Sequence, residues 1–389
     1  MLLSPFASTS PQSGMCHDVS GAAILGSGVA IPPERIDNEE LVASYNAHVA
    51  AENALRAARR QPPLEYSSVA FIAEASGIHA RHVLNRSGVL DPARMVPLLP
   101  ERSNGCLSIQ AEFAVLSARQ ALADAGLDAG DIDLVICACA HHQRPYPAIA
   151  IEVQKALGCG GAAFDMNVAC SSATFATHVA AQMVQTAAAR NVLVCSPEIM
   201  SGHLNYRDRK THFIFGDASA ALVIGRRAGE TNAAGVVFDI VASDVWTDFS
   251  SNIRSNFGFL NRTAPVCGPT DDKLVTQVGQ KVFRDIVNVA SQRIAGFVDG
   301  HGLRVQDLAR LWLHQANLKL IQALVRRLGG PELLDRAPIV LDEIGNVASP
   351  GSIIAFHRTR TDVPRGGFGL ISAFGAGYSI GSLLIKRAQ

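Results

Sequence analysis

Short apolar runs alternate with helical segments along most of this chain, and that alternation constrains the fold more than any other feature. Residues 131–140 read Asp-Ile-Asp-Leu-Val-Ile-Cys-Ala-Cys-Ala, a run that is apolar at every position after its second Asp. A strand with two apolar faces must be covered on both, which places it inside a layered α/β stack and not on a half-solvated sheet. The same reading predicts strands at 191–195 and 218–224, and helices at 38–60, 107–125 (closed by Gly126) and 148–157. Pro62-Pro63 ends the first of these helices, and 76–84 reads as a turn and a short strand. A strand beginning at Gly21 is expected to end in a tight turn at Gly26 and Gly28. The third glycine of a dinucleotide fingerprint is missing there, and no helix opens directly behind.

After about Arg227 the order begins again, with a strand at 235–242, an irregular stretch at 244–272, a helix at 276–298, a strand at 311–314, a helix at 318–328 and a closing strand-turn-strand. We see no residue-level repeat, so the expectation is a duplicated architecture: one half over 21–228, a second over 229–389. Residues 1–20 are rich in Ser and Pro and lack the basic-then-apolar order of a signal peptide. They read as a flexible extension, with Met15 an alternative start.

Composition narrows the function classes. The 389 residues are 48% hydrophobic and 17% charged with zero formal net charge, which supports a large core and offers no global attraction for nucleic acid or an anionic membrane. No apolar run reaches the length of a membrane span. Eight cysteines without a CxxC pair, three of them (Cys137, Cys139, Cys195) inside apolar runs, indicate a reducing, cytoplasmic setting. His141-His142 follow the Cys137/Cys139 strand, but no carboxylate or further His stands at ligand spacing, so no metal is expected.

Three polar turns interrupt these apolar surroundings. In Phe164-Asp-Met-Asn-Val-Ala-Cys-Ser-Ser-Ala-Thr-Phe175 an apolar run stops at Cys170 and a small-residue helix follows through Val184. That puts a thiol at the positive end of a helix, where a thiolate nucleophile gains. His314 stands just past a strand and before a helix in Leu-Trp-Leu-His-Gln-Ala-Asn, and Asn346 stands in Ile-Gly-Asn-Val-Ala-Ser-Pro-Gly. Alone, each reads as an ordinary core or turn residue. Together they supply donors for an enolate or oxyanion on a thioester, and the Gly-rich bend Ser372-Ala-Phe-Gly-Ala-Gly-Tyr378 is a candidate oxyanion hole.

Cys170 in Asn-Val-Ala-Cys-Ser-Ser, His314 in His-Gln-Ala-Asn, Asn346 in Gly-Asn-Val-Ala-Ser and the terminal Phe-Gly-Ala-Gly resemble the Cys-His-Asn triad and closing loop of the β-ketoacyl-ACP synthase III family. Phe215-Gly-Asp-Ala-Ser-Ala220 and the segment from Ser76-Gly-Ile to His82 resemble further landmarks, so five motifs occur in the family's order over residues 21–389. The resemblance implies the thiolase-like five-layered αβαβα fold made of two similar halves, and a cytoplasmic homodimer serving fatty acid biosynthesis. It implies a Claisen condensation in which an acyl group passes from acyl-CoA to Cys170 and malonyl-ACP then loses carbon dioxide and attacks it. His314 and Asn346 would promote the decarboxylation. The N–H groups of Cys170 and Ala376 would form the oxyanion hole, and Asn317, Gly375 and Gly377 would contact substrate. Tyr146 stands where the family places an aromatic that ends the partner's acyl pocket. Lys319, Arg326 and Arg327, on the free face of helix 318–328, suit an acidic carrier protein. No tightly bound cofactor is implied.

The chain departs from the family pattern in two places: no Trp stands in 37–66, a segment that is also longer, and Val347 replaces a Thr. The missing Trp, the longer 37–66 segment and a Tyr at 146 in place of a more apolar aromatic point to a changed acyl entrance and a medium-chain primer. A thiolase would carry a second cysteine in 368–380, which holds none, and elongating synthases would carry a second His at the position of Asn346. An acyltransferase forming an ester, amide or quinolone is the main rival; a non-catalytic partner subunit would have lost Cys170.

Overall fold

A computed structural model of the chain describes residues 15–18, 21–103, 105–227, 236–255 and 274–389. The first half runs β1 (Met15–Asp18), β2 (Ala23–Ala30), β3 (Arg35–Asp37), α1 (Asn38–Ala58), α2 (Val69–Ser76), β4 (Ala80–His82), α3 (Ser87–Leu90), α4 (Ile109–Ala125), β5 (Leu134–Ala138), α5 (Ile149–Leu157), β6 (Ala162–Met166), α6 (Ser172–Gln185), β7 (Asn191–Ile199) and β8 (Asp217–Gly225). The second half runs β9 (Phe238–Ser250), β10 (Ile253–Arg254), β11 (Thr276–Gln277), α7 (Gly279–Asp299), β12 (Arg310–Leu313), α8 (Leu318–Gly329), α9 (Leu341–Ile344), α10 (Gly351–Thr359), β13 (Phe368–Gly375) and β14 (Gly377–Arg387).

The strands join as β12-β13-β14-β9-β2-β8-β7-β5-β6, with β1 laid antiparallel on β9. Read outward from its middle, this path shows the duplication. β2 pairs antiparallel with β8, β8 antiparallel with β7, and β7 parallel with β5. β9 pairs antiparallel with β14, β14 antiparallel with β13, and β13 parallel with β12. The halves meet where Ala23 faces Asp239 and Ile24 faces Phe238.

Alternation along each strand assigns its side chains to layers. On β5, Leu134, Ile136 and Ala138 face one core while Val135 and Cys137 face another. The first core is central: α6, through Ala173, Ala176, Ala180 and Ala181, and α10, through Ile353–Phe356, lie between the two halves of the sheet. α4 and α5 cover the outer face of the first half, and α7 and α8 that of the second. The five layers αβαβα follow, because each strand has two apolar faces to bury. Asp124 on α4 accepts two bonds from Arg360 Nη2, at 2.9 and 3.0 Å, and one from Ser27 N–H at 2.8 Å, which ties the first half to the end of α10.

Three expectations change. Gly26 and Gly28 lie inside β2, not in a turn, because α4 crosses the strand so closely that a Cβ on Gly28 would stand 2.2 Å from Ser117 O and one on Gly26 2.4 Å from Ala121 O. The strand before Cys170 ends at Met166, and β9 continues to Ser250 through the stretch read as irregular. The junction expected at 228/229 lies outside the described residues, as does the extension 1–20 apart from 15–18, which form β1. Among the described residues no helix is long and apolar enough to cross a membrane.

Gly28→Val is expected to destabilise the protein by about 3 kcal/mol, since the new side chain must displace helix backbone and not a flexible tip. Urea denaturation of the variant against the parent checks this.

Candidate active site

Cys170 follows a turn built by its own neighbours. Asn167 Oδ1 accepts from Ala169 N–H at 2.9 Å, and Ser172 Oγ accepts from Val168 N–H at 2.8 Å and donates to Ala169 O at 2.7 Å. These bonds hold Ala169 at φ +47°, a region a Cβ disfavours, and so aim Cys170 back over the start of α6. Asn346 opens a second turn of the same build: its Oδ1 accepts from Ala348 N–H at 2.9 Å, and Ala348 has φ +53°. Both turns read Asn-Val-Ala, and each leads into one of the two central helices. This is a residue-level repeat after all. It escapes a scan for long periods because only three residues carry it. The two helix starts touch, with Ala173 N–H donating to Ser349 Oγ at 2.8 Å.

His314 stands at the carboxyl end of β12, its N–H bonded to Ser372 O at 2.9 Å and its ring edge-on to Phe374 with centroids 5.4 Å apart. Gln315 is structural: its Oε1 accepts from Val340 and Leu341 N–H, and its Nε2 donates to Leu313 O and Pro338 O. Burial pushes the His314 pKa down to about 4, so the imidazole is neutral at pH 7, and its Nδ1 has no protein partner. With Oδ1 held by Ala348, Asn346 turns its amide N–H groups to donor duty.

Cys170, His314, Asn346, Phe374 and Gly375 line one cavity of about 720 Å³. Gly375 is required there, since a Cβ would lie 2.8 Å from Cys170 Cβ and 3.1 Å from Cys170 N. The closing turn is pinned by Ser379, whose Oγ bonds Ser171 Oγ and Ala376 O, each at 3.0 Å. Ala376 and Gly377 form the tip of that turn.

One electrostatic expectation is reversed. Cys170 is half-accessible at the cavity floor yet surrounded by protein mass, and burial together with the Glu198 carboxyl pushes its thiol up to about 12. Several N–H groups at the helix start are already spent, on Val168 O, Ala169 O and Ser349 Oγ. The resting Cys170 side chain is therefore a neutral thiol, despite its place at a helix N-terminus.

The remaining expected residues divide. Asn317 lines the cavity but acts as the cap of α8, its Oδ1 accepting from Lys319 and Leu320 N–H while Nδ2 donates to Ala75 O at 2.8 Å. It has one amide hydrogen left for a ligand. Tyr146 is 82% exposed and does not line the cavity of its own chain. Lys319 lines the mouth; Arg326 and Arg327 are exposed further along α8, and Arg327 donates to Asn288 Oδ1 at 2.7 Å.

Sequence reading missed Lys210 and Arg284, which join Lys319 at the mouth; among the described lining residues there is no carboxylate. It also missed Phe71 on α2, which lies under the Arg209 guanidinium at 3.9 Å and is one of the aromatics lining the cavity. Glu198 was missed too, though a lone acid in Val-Leu-Val-Cys-Ser-Pro-Glu-Ile is itself a signal. Cys137, Cys139 and His142 do converge, and Asp165 Oδ2 is 3.8 Å from His142 Nε2, but that carboxylate already caps α5 by accepting from Ile149 and Ala150 N–H.

Family models described as 3-oxoacyl-[acyl-carrier-protein (ACP)] synthase III and its C-terminal part match residues 164–243 and 298–387. The chain is 49% identical over 325 residues to a β-ketodecanoyl-[acyl-carrier-protein] synthase of Pseudomonas aeruginosa PAO1, covering 83% of this chain and 92% of that one. It is 32% identical over 277 residues to a β-ketoacyl-[acyl-carrier-protein] synthase III of Roseiflexus castenholzii, covering 70% and 82%. The fold is also that of the 3-oxoacyl-[acyl-carrier-protein] synthase III of Aquifex aeolicus VF5, with a TM-score of 0.74 at 23% identity over 94% of this chain and 100% of that one.

Gly375→Ala is expected to leave the fold intact and slow acylation of Cys170 by about 100-fold, because the added methyl must push the thiol or the turn out of line. Circular dichroism and the rate of adduct formation by intact mass check the two halves of this statement.

Proposed function

The chain belongs to the β-ketoacyl-[acyl-carrier-protein] synthase III family and is an acyl-transferring ketosynthase, and on that premise we propose that it condenses a medium-chain acyl-CoA with malonyl-ACP through an acyl-enzyme on Cys170. The observation that carries the reading is a single cavity with Cys170, His314 and Asn346 at its floor and Lys210, Arg284 and Lys319, without a carboxylate, among the described residues at its mouth. Such a mouth suits the phosphates of coenzyme A and of a phosphopantetheine arm.

Because the thiol is neutral at rest, its proton must leave as sulfur attacks the thioester. His314, neutral and in the same cavity, takes that proton and returns it to the departing CoA thiolate. The oxyanion formed meanwhile is held by the N–H groups of Cys170 and Ala376. Malonyl-ACP then loses carbon dioxide, with His314 and Asn346 donating to the enolate oxygen. The enolate carbon attacks the acyl-enzyme carbonyl, the Cys170 sulfur leaves as a thiolate that regains its proton from water by way of His314, and 3-oxoacyl-ACP is released.

The name of one relative, a β-ketodecanoyl-[acyl-carrier-protein] synthase, supports an octanoyl primer, since a 3-oxodecanoyl product is an octanoyl primer extended by one malonyl-derived unit. Apolar walls from Ile253, Val282, Phe283, Ile286 and Leu320 support an acyl chain of that kind. The reading includes a homodimer in which the exposed Tyr146 reaches the partner's acyl pocket, and docking of the carrier protein on Lys319, Arg326 and Arg327. The rival partner-subunit reading finds no support, because nucleophile, imidazole and amide all line the cavity.

Cys170→Ala is expected to form no acyl adduct by intact mass. Asn346→Ala should acylate normally yet fail to decarboxylate malonyl-ACP, whereas His314→Ala should slow both steps; rapid acylation of His314→Ala would remove the imidazole from proton transfer. Across a panel of acyl-CoA primers, octanoyl-CoA should exceed acetyl-CoA by at least about tenfold in kcat/KM, each buried methylene contributing up to about 0.8 kcal/mol. A preference for acetyl-CoA would overturn the medium-chain assignment.

A further inference from the structure

Glu198 is wholly buried at the end of β7, in a strand otherwise apolar apart from Ser196 and Asn191. Its Oε1 accepts from Ala140 N–H at 2.7 Å, and the backbone N–H groups of Ser349 and His141 also act on its carboxyl. Those contacts reach both Asn-Val-Ala turns. Ala140 O accepts from Asn167 Nδ2 at 2.8 Å, and Asn167 shapes the turn before Cys170. Ser349 ends the turn that begins at Asn346, and its Oγ holds Ala173 in the first turn of α6. One carboxyl therefore lies between the segment that carries the nucleophile and the segment that carries the enolate-stabilising amide. Its Oε2 has no partner.

We propose that Glu198 is a positioning residue of the condensing site: it fixes the Cys170 and Asn346 turns relative to one another, and its charge state sets how readily the Cys170 thiol ionises. Among the described residues no Lys or Arg is hydrogen-bonded or ion-paired to it. The titratable groups facing it are Cys170 from the first turn, and Cys139 and His142 from the loop that follows β5. Burial pushes Glu198 up to about 8, against the pull of the three N–H donors and of His142. Below that value the carboxyl is neutral and leaves the thiol alone. Above it the anion stands beside Cys170 and opposes a second negative charge. The backbone bonds persist in both states, since a carboxyl oxygen accepts whether or not its partner oxygen holds a proton.

The inference rests on Cys170 being the nucleophile, so the test reads the thiol without any acyl substrate. The rate of Cys170 carbamidomethylation by iodoacetamide, followed by peptide mass, is measured from about pH 6 to pH 10 in the full-length enzyme. Glu198→Gln keeps an acceptor of the same shape without the charge. It should match the parent below about pH 7 and exceed it about threefold or more above pH 8. Glu198→Ala should show the same alkaline gain but lose about tenfold or more in condensation at neutral pH, because the Ala140 and Ser349 N–H groups lose their acceptor; Glu198→Gln should restore most of that loss. Superimposable alkylation profiles for parent and Glu198→Gln, or a Glu198→Ala enzyme that condenses like the parent, would overturn the proposal. Failure of the medium-chain or carrier-protein reading would leave the alkylation result unaffected.

Discussion

The fold depends on burying two helices, α6 and α10, between sheet layers that are themselves covered outside. A helix in that place has no solvent face, so half of α6 is Ala, Ser or Thr, whose small side chains let sheet layers approach on both sides. The same close packing fixes glycines where backbone meets backbone. Gly381 on β14 meets Thr174 of α6, and Gly375 meets Cys170, at separations a Cβ would violate. Cys170 is placed by the constraint that builds the core: the first residues of a buried helix are held on every side.

That placement has an electrostatic consequence. A cysteine at a helix start is ordinarily expected to be acidic, but here burial wins. The positive end of the helix acts only within its first turn, through N–H groups that Val168, Ala169 and Ser349 already occupy, and the Glu198 carboxyl adds to the cost of a thiolate. A neutral thiol resists oxidation and adventitious alkylation while the site waits for substrate. His314 is kept neutral by burial for the same reason, which leaves it able to take a proton or to donate one.

The two halves carry different chemistry on one local design. Asn167 and Asn346 each accept from an Ala two residues on, each Ala has a positive φ, and each turn feeds a central helix. In the first half the residue after the Ala is Cys170, whose thiol lines the cavity; in the second it is Ser349, which caps its counterpart helix, while the Asn itself has become the amide at the cavity floor. The duplication was legible in the order of strands and helices. Its residue-level trace was also in the sequence, but three residues among 389 stand out only once their common geometry is known.

What the sequence determined by itself is what local chemistry determines. Runs apolar on both faces require a covered sheet, small residues after Cys170 require a crowded helix, and the order of the polar turns around Cys170, His314, Asn346 and the last glycines identifies the family. What only the tertiary structure decided is whatever depends on residues far apart in the chain. Gly26 and Gly28 serve a helix some ninety residues later and not a turn of their own. Lys210 and Arg284 become part of one cationic mouth with Lys319 only when three segments converge. Asn317 proves to be a helix cap whose amide also reaches Ala75, and the Cys170 thiol is pushed up first by burial and then by the Glu198 carboxyl from another strand. Pattern along a chain reports which faces are apolar and which turns are polar; burial and the field at a given atom belong to the packed whole, because both are sums over neighbours that the sequence does not order by distance.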